Sequence, residues 1–245
     1  MKIHMSLKVY YHPACYTSYS LIKAAKERNL NFPLIDVSKN MSFAISKRVL
    51  TVPLIEKNGE FIYGGPINID VALKILSGEE VSLSINNPIE SFGLAVVDSA
   101  AASSIVLTAN SAKPLLDLKD FIIAATGLSL DENKSKKLEE LQNYINLKDE
   151  EFVQNWRKKM LATLSYNFMR ERMYLGIDGE VNEKELLLWI VGKTSIGRAG
   201  VPYLDRIDKV KALAKEIHEY IAEREQKIKE KLNNEINEIK SFFKV

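Results

Sequence analysis

The chain carries its one cysteine in the segment Tyr11-His12-Pro13-Ala14-Cys15-Tyr16-Thr17-Ser18. Apolar residues before this segment predict a strand, and periodic apolar residues after it predict a helix, which places Cys15 at a strand–helix junction. A helix N-terminus presents unpaired N–H groups and a partial positive charge, and both stabilise a thiolate. The pattern therefore indicates a nucleophilic Cys15, with the hydroxyls of Thr17 and Ser18 within one turn of the sulfur. The alternative interpretation is a small buried apolar residue.

The surrounding sequence predicts a βαβ unit followed by a hairpin and a helix. Asn58-Gly59 between two apolar runs favours a hairpin turn, and Pro66 favours the start of a helix. The predicted elements are strands over 7–11, 32–37, 51–55 and 61–63, and helices over 19–28, 41–48 and 66–76.

These residues resemble the thioredoxin superfamily, and within it the glutaredoxins and the N-terminal domains of glutathione transferases. The resemblance is carried by Cys15 and Ser18 at the first helix, by Thr51-Val52-Pro53 before the third strand, and by Gly64-Gly65 at the end of the fourth. It covers the first third of the chain. It implies an α/β thioredoxin-like domain with a four-stranded mixed sheet.

The resemblance also implies roles for individual residues. Cys15 matches the family's nucleophile, and Pro53 matches a proline that is cis and faces the active sulfur. Val52 matches the residue whose backbone binds an extended thiol ligand or substrate peptide, with Thr51 beside it. Gly64-Gly65 matches the pair that allows a ligand to approach the backbone closely.

Two departures from the family pattern narrow the chemistry. Ser18 stands where a second cysteine is usual, and the chain has no other cysteine, so an intramolecular disulfide cannot form. Cys15 must then act by a monothiol route, with the resolving thiol on a small molecule or another protein. Glutaredoxins usually carry two acidic residues after the glycine pair, whereas here only Asp70 is acidic, so the identity of the thiol stays open.

Composition excludes several classes of function. The net charge of +2 over 245 residues gives no basic surface for a nucleic acid. One cysteine and three histidines provide no metal-ligand cluster, and a single cysteine suits the reducing cytoplasm. We expect no bound cofactor beyond a low-molecular-weight thiol, and no signal peptide. The composition is rich in Lys, Glu and Ile, as in thermophile proteins.

The rest of the chain predicts a second, all-helical domain. Residues 1–80 form the first domain, 81–91 a linker, and 92–245 the helical domain. The apolar run over 92–110 is interrupted by Asp98 and several hydroxyl residues, which favours a buried central helix over a membrane span. The predicted helices cover 92–112, 115–126, 135–145, 149–174, 183–191 and 205–243. This order of domains is similar to that of glutathione transferases.

The last predicted helix is long enough to raise the question of a partner. At 1.5 Å per residue it would span about 58 Å, more than a domain of this size covers. Apolar residues at three- and four-residue spacing follow its whole length, among them Ile217, Ile221, Ile228, Leu232, Ile236 and Ile239. An apolar stripe without a site in its own domain predicts a homodimer; the alternative is a helix packed lengthwise on its own domain.

Other candidate residues carry weaker signals. Gly192-Lys193-Thr194-Ser195 looks like the end of a phosphate-binding loop, but Leu187 stands where that loop needs glycine. His12 is either a base for Cys15 or a surface residue. Four arginines, which either line an interdomain cleft for an acidic ligand or lie on the surface, are Arg170, Arg172, Arg198 and Arg206.

These observations favour a thiol-dependent oxidoreductase acting through Cys15. Its substrate would be a small thiol or a protein disulfide, without nucleic acid or membrane. Two alternatives remain at this point: a transferase in which Thr17, Ser18 or Cys15 contacts a thiol cofactor, and a non-catalytic binding protein that keeps the fold.

Overall fold

The computed structural model describes residues 6–197 and 207–244. In chain order the elements are β1 (Leu7–Tyr11), α1 (Tyr16–Glu27), β2 (Leu34–Asp36), α2 (Met41–Ser46), β3 (Leu54–Lys57), β4 (Glu60–Gly64), α3 (Ile69–Leu76), α4 (Pro88–Asp98), α5 (Ala100–Ala109), α6 (Lys119–Ala125), α7 (Lys134–Leu175), α8 (Glu183–Gly197), α9 (Ile207–Ala222) and α10 (Glu225–Phe243).

The N-terminal part is built on a four-stranded sheet of order β2-β1-β3-β4. β1 pairs parallel to β2 and antiparallel to β3, and β3 pairs antiparallel to β4, so the predicted mixed sheet is confirmed. Val9 and Ile55 face each other across β1 and β3 and pack with Leu21 of α1 and Leu73 of α3. These alternating apolar residues fix which face of the sheet the two helices cover.

Element ends in this part differ from the predictions by a few residues. The third strand begins at Leu54 rather than at 51, because the preceding residues form a bend. α3 begins at Ile69 rather than at Pro66, because the side chain of Asn68 accepts a hydrogen bond from the Val71 N–H and caps the helix.

The helix predicted over 92–112 is wrong, because the chain forms two helices there that meet at 102°. The break lies at Ser99, whose side chain caps α5 by accepting from the Ala102 N–H at 3.0 Å. The same hydroxyl donates to the Leu50 carbonyl at 2.6 Å and ties this corner to the N-terminal part. Among the described helices, none alone is long and apolar enough to cross a membrane, and α4 and α5 meet that criterion only when taken together.

The helices predicted separately over 135–145 and 149–174 form one element, α7, with non-helical backbone at Lys148. A buried apolar core joins α7 to its neighbours, with Phe92 of α4, Ile105 of α5 and Phe168 of α7 at its centre. This part is helical over the described residues, as predicted.

The single helix predicted over 205–243 is also wrong. Helix α9 ends at Ala222, and Arg224 (φ −133°, ψ 9°) separates it from α10, which packs against α7 and α1. The apolar stripe is buried within the chain, and the six isoleucines and leucines from Ile217 to Ile239 are at most 4 % exposed. Because the stripe has a site in its own chain, the fold removes the basis for predicting a homodimer.

The two parts are joined along several contacts. Helix α6 packs on β4, and the Ser129 hydroxyl donates to the Ile62 carbonyl. The linker predicted over 81–91 ends earlier, because Asn87 caps α4 at Pro88. The linker is itself anchored, since the Ile85 N–H donates to the Asp131 carboxylate at 2.7 Å.

Candidate functional site

Cys15 lies where β1 passes into α1, and it is the residue that caps this helix. Its backbone N–H donates to the His12 carbonyl at 2.9 Å, which closes the turn between the two elements. The sulfur accepts a hydrogen bond from the Ser18 N–H and donates its own proton to the Val52 carbonyl, both at 3.4 Å. Cys15 therefore begins the helix as predicted, and the Val52–Pro53 bond next to it is cis, also as predicted.

The thiol is held in its protonated form. Burial raises the pKa of Cys15, and the nearby Asp98 adds to this effect. The hydrogen bond from the Ser18 backbone N–H and the charge of Arg170 act in the opposite direction without prevailing. The expectation that the helix N-terminus makes Cys15 a thiolate is therefore wrong for this resting arrangement, because desolvation outweighs the helix end.

The sulfur faces a cleft between the two parts of the chain. The cleft has an inner cavity of about 170 Å³ and an outer cavity of about 380 Å³. Both cavities are lined by Cys15, Val52, Asp98, Asn167 and Arg170. The prediction that the helical domain forms the wall opposite Cys15 is confirmed. A groove of about 710 Å³ beside α6 contains none of the predicted site residues.

Asp98, the last residue of α4, is the acidic residue on the wall shared by the two cavities. Burial raises its pKa to about 6, against the attraction of Arg170. Asp98 is not among the predicted site residues. The available signal was a lone carboxylate inside an apolar run, because a buried charge costs free energy unless it is paired.

Of the four arginines, Arg170 lines the cleft. Its guanidinium lies 3.0 Å from Glu235 of α10 and donates to the Asn167 side chain at 2.7 Å. Arg172 does not line the cleft; it is buried and pairs with Glu185. Arg198 and Arg206 lie outside the described residues.

A second polar cluster closes the inner cavity. Glu171 accepts from Lys193 at 2.6 Å and from the Trp189 indole N–H at 2.8 Å. Burial acts to raise the pKa of Glu171, but Lys193 and His12 prevail and lower it. His12 also lines this cavity; burial lowers its pKa, and its Nδ1 accepts from the Ala14 N–H at 3.1 Å. His12 is therefore a half-buried residue on the cavity wall.

Three other predicted residues lie close to the sulfur. Thr17 lines the outer cavity. Thr51 lines the inner one. Ser18 is fully buried behind the thiol. Within the described part of the chain, the buried hydroxyls of Ser18 and Thr51 have no hydrogen-bond partner.

The remaining predicted binding residues are not at the cleft. A Cβ on Gly64 would lie 2.6 Å from Leu54 Cδ1, and one on Gly65 would lie 3.3 Å from Ala125 Cβ. The glycine pair thus allows β3 and α6 to approach, rather than a ligand. Asp70 is exposed on α3 and pairs with Arg28 at 3.2 Å. Neither the pair nor Asp70 lines the two cavities.

Over residues 6–197 and 207–244, no group of three or more metal-binding side chains comes together. No protein-family model, curated protein or solved structure matches the chain.

Proposed function

We propose that this chain is a thiol-dependent oxidoreductase of thioredoxin-like fold that acts through Cys15 by a monothiol route. The observation that carries the proposal is the position of the sulfur. It lies at the N-terminus of α1 and faces a cleft walled by both parts of the chain.

The fold assignment rests on topology and position together. A mixed sheet of order β2-β1-β3-β4 with a cysteine between β1 and α1 is the arrangement that the resemblance implies. The Val52 carbonyl contacts the sulfur from the loop before β3. These features support a thioredoxin-like unit extended by a helical domain.

The chemistry is thiol–disulfide exchange. The Cys15 sulfur attacks one sulfur of a disulfide, its proton passes to a base, and the disulfide bond breaks to release the other half as a thiol. A mixed disulfide on Cys15 remains. A second molecule of a low-molecular-weight thiol then attacks it, because the chain has no second cysteine to do so. A reducing compartment such as the cytoplasm supplies that thiol.

The size of the cleft favours a small disulfide over a protein loop. The outer cavity of about 380 Å³ falls in the range of about 300–1,000 Å³ found for small-molecule sites. The charged residues on its lining are Asp98, Arg170, Lys231 and Glu235, two of each sign. The lining therefore suits a polar small disulfide without selecting one charge.

One observation favours the non-catalytic alternative, which is the raised pKa of Cys15. A protonated thiol is a poor nucleophile unless a base takes its proton in the reaction. A transferase would use the same cleft with a thiol cofactor held non-covalently. Turnover of a disulfide separates the oxidoreductase from both alternatives.

The test is reduction of bis(2-hydroxyethyl) disulfide with glutathione or cysteine as reductant. We expect Cys15→Ser to abolish turnover and Ser18→Ala to reduce it less. A matched control is Ser20→Ala, on the same helix with its hydroxyl bonded to the Tyr16 carbonyl. Mass spectrometry of the wild type after exposure to the disulfide should find the adduct on Cys15. Equal turnover in Cys15→Ser would refute the proposal.

A further inference from the structure

We propose that Asp98 is the proton acceptor and donor for Cys15, so that the helical part of the chain supplies half of the catalytic machinery. This inference rests on the proposed function and assigns it a second catalytic residue.

A short chain of contacts fixes the carboxylate relative to the sulfur. Asp98 is bonded to Ser99, whose hydroxyl donates to the Leu50 carbonyl at 2.6 Å. Two residues after Leu50, the Val52 carbonyl accepts the proton of the Cys15 thiol at 3.4 Å. The loop from Leu50 to Val52 therefore contacts both the residue next to Asp98 and the Cys15 sulfur, and Asp98 and Cys15 line the same two cavities.

The other ionisable groups facing the cleft are already engaged. They come from the turn after β1 and from α1, α7, α8 and α10, and they are His12, Tyr16, Tyr166, Arg170, Glu171, Lys193, Lys231 and Glu235. Glu171 is bound by Lys193 and Trp189, and Glu235 by Arg170.

The remaining candidates for a base are His12 and Asp98, and they differ in whether they can accept the thiol proton. The Nδ1 atom of His12 accepts the Ala14 N–H, so the proton of the neutral ring lies on Nε2 and neither nitrogen is left to accept the thiol proton. Among the described residues, none forms a hydrogen bond or an ion pair with the Asp98 carboxylate, which leaves its oxygens open to the thiol proton.

The acidity of Asp98 suits the role. Its pKa, raised by burial to about 6, keeps the group ionised at neutral pH while making it a better base than an exposed aspartate. A general base is most effective when its pKa lies near the working pH. Because the Cys15 thiol is protonated at rest, such a base supplies what the site otherwise lacks.

The steps balance without any further reactant. The thiol proton leaves the Val52 carbonyl and passes to the Asp98 carboxylate as Sγ forms a bond to one sulfur of the disulfide. The disulfide bond breaks with its electron pair on the departing sulfur, which takes the proton back from Asp98. The products are the mixed disulfide on Cys15, one free thiol and the original carboxylate.

The test is the rate of Cys15 alkylation by iodoacetamide as a function of pH. We expect the wild-type rate to rise through an inflection near the Asp98 pKa of about 6. Asp98→Asn should remove this inflection and slow alkylation at neutral pH by about 100-fold, the lower end of general-base contributions.

A purely electrostatic role for Asp98 predicts the opposite sign. Removing a negative charge beside the thiol lowers the pKa of Cys15, since Asp98 acts to raise it. Asp98→Asn would then alkylate faster at neutral pH. A rate equal to or above that of the wild type overturns the inference, whereas the proposed function still stands if Cys15→Ser is inactive in disulfide reduction.

Two further measurements keep the test decisive. Asp117→Asn, an exposed residue of the helical part outside the cleft, should leave the pH profile unchanged. If Asp98→Asn fails to fold, the wild-type profile alone decides, because the absence of an inflection near pH 6 overturns the inference. Arg170→Gln should move the inflection to higher pH, since Arg170 lowers the pKa of Asp98.

Discussion

Replacing Asp98 by asparagine should make the folded chain more stable at neutral pH. Burial raises the pKa of Asp98 from 3.8 to about 6. Because its pKa is raised, the folded chain favours the protonated form of Asp98 more than the unfolded chain does. Stability from this group is therefore fully present below its unfolded pKa and is lost as pH rises through about 6. At about 1.36 kcal/mol per pKa unit, the ionised carboxylate costs about 3 kcal/mol. Asparagine has the same shape without the charge.

The assay is urea unfolding of wild type and Asp98→Asn at about pH 8 and about pH 4. The difference in unfolding free energy between the two proteins should be largest at about pH 8 and mostly lost at about pH 4. The other carboxylates titrate in both proteins and cancel in the comparison. Asp117→Asn serves as the control and should show no such pH dependence. A variant that is less stable at the higher pH, or a difference that does not change with pH, would refute the reasoning.

Three other predictions concern the linker, the packing of α4 on α7 and the mass of the protein in solution. The pKa of Asp131 is lowered to about 2, mainly by the hydrogen bond from the Ile85 N–H, so the stability that Asp131 contributes is lost as pH falls towards that value. Asp131→Asn should therefore speed proteolytic cleavage of the linker. Gly93→Ala should lower stability by about 1–3 kcal/mol in thermal unfolding, because a Cβ there would lie 2.1 Å from the Trp156 ring; an unchanged midpoint would mean that the ring moves aside. Light scattering at micromolar concentration should give the mass of one chain, because the stripe of α10 is buried internally, and a dimer mass would contradict this.

Local pattern was enough to predict the N-terminal part. Alternation in the strands, the Asn58-Gly59 turn and the periodic helices are all set by neighbours in sequence, and the structure reproduces their order. The position of Cys15 followed from the same local signals. The pKa of Cys15 could not be predicted in this way, because its desolvation depends on the helical wall that covers the thiol.

The sequence predicted that the second part is helical, but it did not predict where two of its helices are interrupted. Ser99 looks like one more hydroxyl in an apolar run, and only its bond to Leu50 makes it a corner. Arg224 falls within a continuous periodic pattern, yet α10 turns there to pack on α1. Both breaks are set by contacts with residues far away in sequence, and Asp98 enters the site through the first of them.

Helix α10 makes completion of the cleft a late event in synthesis. Its Glu238 accepts a hydrogen bond from Tyr16, 222 residues earlier, and Lys231 and Glu235 line the outer cavity. Chains fold from the N-terminus as they emerge from the ribosome. The strand–helix junction that bears the sulfur is thus made long before its last wall, and a newly made chain carries Cys15 beside an unfinished cavity until α10 is translated and docks.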